Sequence, residues 1–468
     1  MDSNIKPSLT VGSLSYTKPK LAILFFWLLW GDFCFMLMEN LVPSILPLKF
    51  KELGASNVSV GMILTTLPML INTVFNPIIS FKSDRHRGRF GRRIPFILFT
   101  LPLLTICLVA LGFSDQWGFK LHSRFSGHLG SLTPTTAALI VMGAVMVCFA
   151  FFNTFVNSVF WYLFNDVVPE HLLGRFMAWF RMVSVASVSF YNFFIFKHAE
   201  SHYTTIFVGA AALYLIGFGL MCLNVKEGTY PPPPPYIKGE TGALAAIKTY
   251  GKECLGLKHY WFVFLSSMCM AVGYSAYTFW IYLYQATGLS LEQIGNVTGV
   301  FNISMAIVML FTGWLADKYH PIRIVMIGLL FFLVIVMPVS MVWFFWQPSQ
   351  QSAYYFWMFL MGGLTAPALA LIQMNDPSMF MRVFPRDRYG QYCSANALLR
   401  SLSLIISGLL LGWGLDTVKS HYGEKTAYFC LPIWQFIFYG LMLAAVIALY
   451  KSWKKYGGDE SYVPPVPK

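Results

Sequence analysis

The sequence predicts an all-α membrane protein whose twelve transmembrane helices form two pseudo-symmetric bundles of six. Its 468 residues are 57% hydrophobic and only 11% charged, whereas soluble domains carry about a quarter charged residues. Apolar runs long enough to cross a hydrocarbon core of about 30 Å recur along the whole chain. Only α-helices and closed β-barrels satisfy the backbone hydrogen bonds inside lipid. These runs lack the alternation of apolar and polar residues that is typical of barrel strands, so we predict helices.

The apolar runs fall into two sets of six, separated by a polar segment at 225–259. Five successive prolines, Pro231 to Pro235, favour an extended polyproline conformation there and cannot extend a helix. We therefore predict an N-terminal bundle (1–224), a cytoplasmic proline-rich linker (225–259) and a C-terminal bundle with a short cytoplasmic tail (260–468). The predicted spans are 21–48, 57–81, 94–113, 135–164, 176–197, 204–224, 260–285, 293–316, 322–346, 353–374, 391–415 and 428–450.

The net charge of +13 reports membrane orientation and does not indicate a nucleic-acid partner. If the N-terminus lies in the cytoplasm, most of the 33 lysines and arginines fall in cytoplasmic tails and loops, which satisfies the positive-inside rule. Both termini are then cytoplasmic. No cleavable signal peptide is expected, because the first apolar run is too long. The eight cysteines mostly lie within spans without metal-ligand spacing, so no disulfide, metal site or cofactor is predicted.

Two acidic residues in the first span, Asp32 and Glu39, give the strongest functional signal. They are seven residues apart and share one helix face, and carboxylates at membrane depth are costly and usually functional. Asp32 is interpreted as a hydroxyl acceptor or proton carrier, with an ion pair to a buried arginine as the alternative. Glu39 is interpreted as a protonation site nearer the outer side of the membrane. The alternative is that its carboxyl group reaches an aqueous funnel open to the outside.

The two halves repeat short motifs at matching places. The loops after spans two and eight contain an acidic and then basic residues, spans four and ten end in Asn-Asp, and spans five and eleven contain Arg-x-x-Ser. Internal repetition of this kind is typical of secondary transporters, whose substrate site lies between the halves. The matched positions are Asp84 with Asp317, Asp166 with Asp376, Arg181 with Arg400, and Ser184 with Ser403.

Motifs in the first half carry a family resemblance over residues 21–200. They are Gly31-Asp32-Phe33, Asn76-Pro77, Arg89-Phe90-Gly91-Arg92-Arg93-Ile94-Pro95, Phe160-Trp161, Asp166, Glu170 and Arg181. With the acidic-then-basic loop after span two, they make the chain resemble the major facilitator superfamily. Within it, the first half is similar to the glycoside–pentoside–hexuronide:cation symporter family, which is melibiose permease-like. This resemblance implies the major facilitator fold and transport by alternating access.

The resemblance also implies roles for individual positions. Asp32 matches an aspartate that contacts the sugar, and Arg181 matches a positively charged position in span five. The chain departs from the family at the sodium site, because Asn72 and Asn76 stand where melibiose-type members have aspartates; Asn157 likewise replaces a sugar-binding aspartate. Amides lack the negative charge that offsets dehydration of a cation. We therefore expect coupling to protons on Asp32 or Glu39, or uniport.

Further substrate-binding candidates lie on polar and aromatic helix stripes. Amides and guanidinium groups can bond sugar hydroxyls, and aromatic rings can pack against a sugar ring. As alternatives, asparagines bond neighbouring helices, arginines near a span end reach the headgroups, and aromatic residues populate membrane interfaces. The predicted substrate-binding residues are Asp32, Asn153, Asn157, Trp161, Arg181, Tyr277 and Arg400.

Charged residues at the cytoplasmic ends of the spans predict a gating network. Ion pairs there would hold the halves in one state and release them as the other state forms. The alternative is that the basic residues only anchor the topology. The predicted network contains Asp84, Arg85, Arg89, Arg92, Arg93, Asp166, Asp317, Arg323 and Asp376.

These observations together predict a monomeric sugar or glycoside transporter, coupled to protons, in the lipid bilayer of a bacterial inner membrane. An enzyme is not predicted, because no phosphate-binding glycine loop or nucleophile arrangement is found. A transporter of an organic anion or nucleoside is an alternative, in which Arg181 and Arg400 would bind carboxylate or phosphate. Two others are a membrane-embedded enzyme and a non-transporting sensor with the same fold.

Overall fold

A computed structural model describes residues 9–125, 132–230, 232, 255–385 and 388–465 of the chain. Within these ranges, the side chains at 174, 313, 314, 316, 317, 374 and 460 are not described. Most of the predicted proline-rich linker and the side chain of Asp317 therefore lie outside the described residues. Residues 225–230, at the start of that linker, form neither helix nor strand.

The described residues contain twelve helices that are long and apolar enough to cross a membrane, which confirms the predicted fold class. Near the N-terminus, a small hairpin pairs strands β1 (Thr10–Val11) and β2 (Leu14–Ser15). The helices are α1 (Lys18–Glu52), α2 (Asn57–Arg85), α3 (Ile94–Phe125), α4 (Pro134–Val167), α5 (Glu170–His198), α6 (Tyr203–Asn224), α7 (Lys258–Ala286), α8 (Leu291–Lys318), α9 (Pro321–Phe344), α10 (Gln351–Val383), α11 (Tyr389–Tyr422) and α12 (Glu424–Lys455). A short helix, α13 (Gly458–Ser461), follows.

Local sequence explains where several of these helices begin. Ser56 and Thr133 lie before α2 and α4, and each side-chain hydroxyl accepts a backbone N–H of the first turn. Ser290 and Gln293 form a reciprocal capping box at the start of α8. At α9, the ring Nδ1 of His320 accepts the Ile322 N–H at 3.3 Å. Side chains therefore satisfy backbone donors that the helices themselves leave free.

The chain divides into two compact units. Unit 1 contains residues 1–55 and 70–235, and unit 2 contains residues 56–69 and 236–468. The beginning of α2, up to Met69, thus belongs with unit 2, while the rest of that helix belongs with unit 1. In unit 2, buried apolar and aromatic residues of α7, α9, α10, α11 and α12 form one continuous core.

Candidate functional site

Asp32, on α1 of unit 1, is fully enclosed by protein. Its side chain is 0% exposed, and the Ser184 hydroxyl of α5 donates to Oδ2 at 2.7 Å. Oδ1 is buried without a hydrogen-bond partner among the described residues. Arg181, one turn before Ser184, interacts electrostatically with the Asp32 carboxyl group. The hydrogen bond to the buried Asp32 carboxyl group therefore comes from a neutral donor, the Ser184 hydroxyl.

Glu39 lies two helical turns after Asp32, about 10 Å along the axis at 1.5 Å per residue. Asn153 of α4 donates from Nδ2 to Glu39 Oε1 at 2.5 Å. The Tyr214 hydroxyl of α6 is buried, lacks a hydrogen-bond partner among the described residues and interacts electrostatically with Glu39. Three helices thus converge on this carboxyl group, and none of these contacts comes from a positively charged side chain.

A polar seam joins α2 to α4 in the part of α2 that belongs to unit 1. Asn76 Oδ1 accepts the Ser158 hydroxyl at 2.7 Å, and Ser80 Oγ lies 3.0 Å from the Tyr162 hydroxyl. The sequence predicted a role for asparagines here but missed Ser80 and Ser158. Isolated serines are common in membrane spans, so no sequence signal distinguishes these two residues.

The other predicted ligands on α4 have different surroundings. Asn157 is partly buried, one turn after Asn153. The Trp161 ring packs 5.1 Å from the Phe180 ring of α5 and 5.9 Å from the Phe164 ring, between ring centroids. Trp161 therefore belongs to an aromatic cluster between α4 and α5, and its indole remains partly buried.

An arginine network, made of Asp84, Arg92, Arg93 and Asp166, lies where the loop after α2 meets the end of α4. Arg92 Nε donates to Asp166 Oδ2 at 2.8 Å and Arg93 Nε donates to the same oxygen at 3.1 Å. Arg93 also forms an ion pair with Asp84. The Asp166 side chain is only 7% exposed, so one carboxylate, largely out of water, binds two arginines, and Asp84 supplies a second negative charge to Arg93. Among the other predicted residues of this loop, Arg85 lies over the Phe81 ring and Arg89 is exposed.

Glu227, in the segment after α6, is a residue that the sequence analysis missed. Its carboxylate accepts the backbone N–H groups of Arg92, Arg93 and Ile94 at 2.9, 2.8 and 2.7 Å, at the start of α3. The Tyr230 hydroxyl donates to it at 2.9 Å. Burial and the nearby negative charge of Glu227 raise the pKa of Tyr230, so the hydroxyl stays protonated as a donor. One acidic residue in a polar segment carries no signal of such a distant contact.

In unit 2, Arg400 of α11 lies in a polar and aromatic environment. It interacts electrostatically with Asp376 of α10, Tyr274 of α7 and Tyr439 of α12. Asp376 is 4% exposed, and its Oδ1 has no hydrogen-bond partner among the described residues. The Tyr277 ring lies 5.0 Å from the Tyr274 ring. Asp376 therefore interacts electrostatically with Arg400, whereas its sequence counterpart Asp166 binds the loop arginines.

The remaining predicted member of the gating network has an unexpected partner. Arg323 forms an ion pair with Asp459 of the short helix α13, and the side chain of Asp317 is not described. The last helix of the described chain therefore contributes a contact that the sequence analysis did not anticipate.

Asp416, near the end of α11, caps the first turn of α2 within unit 2. Its Oδ1 accepts the backbone N–H of Asn57 at 2.9 Å and the Asn57 side-chain amide at 2.8 Å, while Oδ2 accepts the Val58 N–H at 2.9 Å. Gly412, one turn earlier, permits this approach: a Cβ atom there would lie 2.6 Å from the Asn57 carbonyl oxygen. The sequence gives no signal of this contact, which joins positions far apart in the chain.

Comparisons with known proteins agree with this architecture. A family model described as the Major Facilitator Superfamily matches residues 28–408 and 263–456. The chain is 28% identical over 326 residues to the uncharacterized MFS-type transporter YhcA of Bacillus subtilis (strain 168). That alignment covers 64% of this chain and 60% of YhcA, so the chain spans less than two thirds of the relative's length.

Solved transporter structures share the fold at low sequence identity. A bacterial homologue of the human lysosomal transporter Spinster gives a TM-score of 0.66 at 13% identity, covering 94% of this chain and 99% of that chain. A D-xylose-proton symporter gives 0.61 at 13% identity, with 92% and 97% covered. The nucleoside transporter NupG gives 0.58 at 11% identity, with 92% and 99% covered. At these identities the similarity shows the fold alone.

Proposed function

Because the chain belongs to the Major Facilitator Superfamily of membrane transporters, we propose that it carries a sugar or glycoside by alternating access, together with a proton. The observation that supports coupling is the pair of carboxyl groups on α1, each hydrogen-bonded to a neutral donor from another helix. A salt bridge favours the charged state of a carboxyl group. A neutral partner leaves both protonation states accessible, because serine and asparagine can each donate or accept.

The proposed cargo rests on the kind of polar groups that each unit presents. The Asn157 amide on α4, the amides on α2, the tyrosines on α7 and the arginines on α5 and α11 can all bond hydroxyl groups. The motif resemblance to melibiose permease-like symporters supports the same class of solute, and a D-xylose-proton symporter has the same fold. Asp32 is enclosed in this structure, so we assign the proton role first to Glu39.

An organic anion or a nucleoside is the second candidate for the cargo. Arg400 favours it, because its guanidinium group, which interacts electrostatically with Tyr274 and Tyr439, can bind a carboxylate or stack with a base. A nucleoside transporter also shares the fold. Competition for uptake between neutral sugars, organic anions and nucleosides separates the two candidates.

We place the protein as a monomer in a bacterial inner membrane, with both termini in the cytoplasm. The support for this orientation is the distribution of lysine and arginine between the loops. The support for the membrane itself is the set of twelve apolar helices among the described residues.

Uptake into proteoliposomes tests the proposed function. Melibiose, D-xylose, glucuronides, organic anions and nucleosides are offered under an imposed proton gradient, a sodium gradient or no gradient. We expect accumulation of a sugar or glycoside with the proton gradient, and loss of that accumulation in Glu39→Gln. Glu200→Gln, which changes an exposed carboxylate, is the matched control. Equal uptake with and without a proton gradient in the unmutated protein contradicts proton coupling, and accumulation of anions alone contradicts the sugar assignment.

A further inference from the structure

The side-chain amide of Asn153, close to Glu39, has a hydrogen-bond donor, Nδ2, and an acceptor, Oδ1. Its Nδ2 donates to the Glu39 carboxylate at 2.5 Å. Its Oδ1 is buried and has no hydrogen-bond partner among the described residues. A buried acceptor without a partner is unusual, since the large majority of buried side-chain polar atoms are hydrogen-bonded. The amide thus uses its donor in this structure and leaves its acceptor free.

The free acceptor is what a protonated Glu39 requires. An ionised carboxylate only accepts hydrogen bonds, whereas a protonated carboxyl group also donates one. An asparagine amide has a donor and an acceptor on one short side chain, and rotation about its last torsion exchanges their positions. Asn153 can therefore bond both protonation states of Glu39, each in a different orientation.

Among the described residues, Asn153 is the group that hydrogen-bonds the Glu39 carboxyl group. On α6, Tyr214 interacts with Glu39, and its neighbours include the thiols of Cys34 and Cys222. On α5, Arg181 acts on Asp32, two turns away on α1. No positively charged side chain among the described residues pairs with Glu39. Asn153 is thus the one described hydrogen-bond partner whose orientation depends on whether Glu39 carries a proton.

Asn153 also lies on the helix face that carries two predicted substrate ligands. Asn157 and Trp161 follow it by one and about two turns of α4, at spacings that keep the three residues on one face. The α-helix is continuous from Pro134 to Val167 and has no proline after its first residue. Because the helix is continuous, a displacement of α4 at Asn153 would also move Asn157.

We propose that Asn153 is a positioning residue that couples the protonation of Glu39 to the substrate-facing side of α4. The inference deepens and rests on the proposed function. It assigns Asn153 to coupling instead of to direct contact with the substrate. When Glu39 takes up a proton, the Asn153 amide turns to accept the new hydroxyl hydrogen, and α4 adjusts at this point of contact.

Infrared difference spectroscopy with a change of pH tests the contact without any substrate. The probe is the carbonyl stretch of a protonated carboxyl group, and Glu39→Gln assigns the Glu39 band by removing it. In Asn153→Leu, we expect the band to move to a higher wavenumber and to titrate at a different pH, because the carboxyl group loses its partner. Asn153→Thr, which keeps a donor and an acceptor, should restore part of both changes. An unshifted band with an unchanged titration in Asn153→Leu overturns the proposal.

Transport measurements separate coupling from substrate binding. Proteoliposomes are loaded with whichever of melibiose and D-xylose shows the greater proton-driven uptake by the unmutated protein. For Asn153→Leu, we expect sugar exchange across the membrane to persist while proton-driven accumulation falls at least tenfold. Asn157→Leu, in contrast, should lose exchange as well. Asn153→Thr provides the same comparison with a smaller change if the leucine variant does not fold.

The possible results distinguish failure of this inference from failure of the proposed function. If the unmutated protein accumulates neither sugar with a proton gradient, the proposed function fails, and the infrared result still decides whether Asn153 responds to Glu39. If the unmutated protein accumulates sugar and Asn153→Leu does so equally well, the inference alone fails. Loss of exchange together with accumulation in both Asn153 variants makes Asn153 a substrate ligand and overturns the coupling role.

Discussion

The acidic residues of this protein are of two kinds: some are hydrogen-bonded to neutral side chains, and others are paired with arginines. Asp32 and Glu39 on α1 are bonded to a serine and an asparagine, whereas Asp166 binds two arginines. Buried ion pairs resist changes of protonation, and removal of one partner leaves an uncompensated charge. The first kind of contact suits a group that gains and loses a proton. The second suits a group that holds a loop in place.

Gly91 is a residue at which only glycine fits. Its φ is +98°, and a Cβ atom would lie 2.5 Å from the Glu227 Cβ. We expect Gly91→Ala to destabilise the protein by about 1–3 kcal/mol through backbone strain and to disturb the Glu227 contact as well. Thermal unfolding in detergent measures the loss. Gly54→Ala separates the two causes, because Gly54 also has a positive φ but nothing lies within 4 Å of an added Cβ. An equal loss in both variants would show that the contact with Glu227 contributes nothing.

His320 makes stability depend on pH. Burial, with the nearby positive charges of Arg382 and Arg323, lowers the pKa of His320 to about 4 from its ordinary value of 6.5. Between these values the unfolded chain binds more protons than the folded protein, so stability is full above about pH 6.5 and decreases as the pH falls. The neutral ring also accepts the Ile322 N–H, which a proton on Nδ1 would prevent.

We therefore expect the thermal unfolding midpoint to fall between pH 7.5 and pH 5, and to fall less in His320→Asn. Asparagine retains a capping oxygen but does not titrate in this range. His421→Asn, at an exposed histidine, is the control and should leave the pH dependence unchanged. The same pH dependence in the unmutated protein and in His320→Asn would assign the effect to other groups.

At the level of helices, two carboxylates cap helix starts that are distant in sequence. Glu227 caps α3 in unit 1, and Asp416 caps α2 in unit 2. The first backbone N–H groups of a helix have no partner within the helix, and the helix dipole favours negative charge there. Each carboxylate therefore ties two separate segments of the chain together at a helix end.

Removal of the Glu227 carboxylate should loosen the start of α3. Glu227→Gln keeps the size of the side chain but has one acceptor oxygen for three N–H groups, and Glu227→Ala has none. We expect faster hydrogen–deuterium exchange at residues 92–96 in both variants, with the larger effect in Glu227→Ala. We also expect a loss of about 1–2 kcal/mol in the free energy of unfolding. Glu200→Gln should leave this segment unchanged. Unaltered exchange in Glu227→Ala would show that water replaces the cap without cost.

Asp416→Ala should destabilise the start of α2 within unit 2. The substitution removes three hydrogen bonds, two of them to backbone N–H groups, and caps of this kind contribute about 0.5–2 kcal/mol. A lower thermal unfolding midpoint and faster exchange at residues 57–60 are the expected results. Thr417→Ala, which changes the next and exposed residue, is the control. If both substitutions have equal effects, the Asp416 cap does not stabilise this region.

At the level of the whole molecule, the predicted orientation can be tested directly. With cytoplasmic termini, the loop after α2 faces the cytoplasm and the loop between α5 and α6 faces the outside. In a cysteine-free background, a membrane-impermeant maleimide should label Ser201→Cys in intact cells and should label Arg89→Cys only after lysis. Both positions are exposed. The reverse pattern would invert the topology and move the arginine network to the outer side.

Much of the architecture is predictable because it depends on local properties of the chain. Twelve spans follow from apolar length, and the predicted spans overlap the observed helices one by one. The presence of Asp32 and Glu39 inside α1 also follows, since a charged residue in an apolar run is visible in sequence. The pairing of Arg92 with Asp166 was expected only as a general charge network, without its partners.

Contacts between distant segments were not predictable. Glu227, Tyr230 and Asp416 are ordinary polar residues in sequence, and their roles arise from where the helices meet. The repeated Arg-x-x-Ser motif marks Ser184, but only the structure shows that it bonds Asp32. The repeated motifs even suggest equal roles for Asp166 and Asp376, although the structure gives them different neighbours. Equal motifs do not imply equal contacts, because side-chain partners depend on all the helices packed around a position.

The sequence by itself determined that this chain crosses a membrane many times and buries acidic groups, because hydropathy and charge act over a single helix. Only the tertiary structure decided that Asn153 bonds Glu39, that Ser184 bonds Asp32 and that Glu227 caps α3. The physical reason is the short range of a hydrogen bond, about 3 Å. Such a distance between residues far apart in sequence is set by the packing of several helices at once.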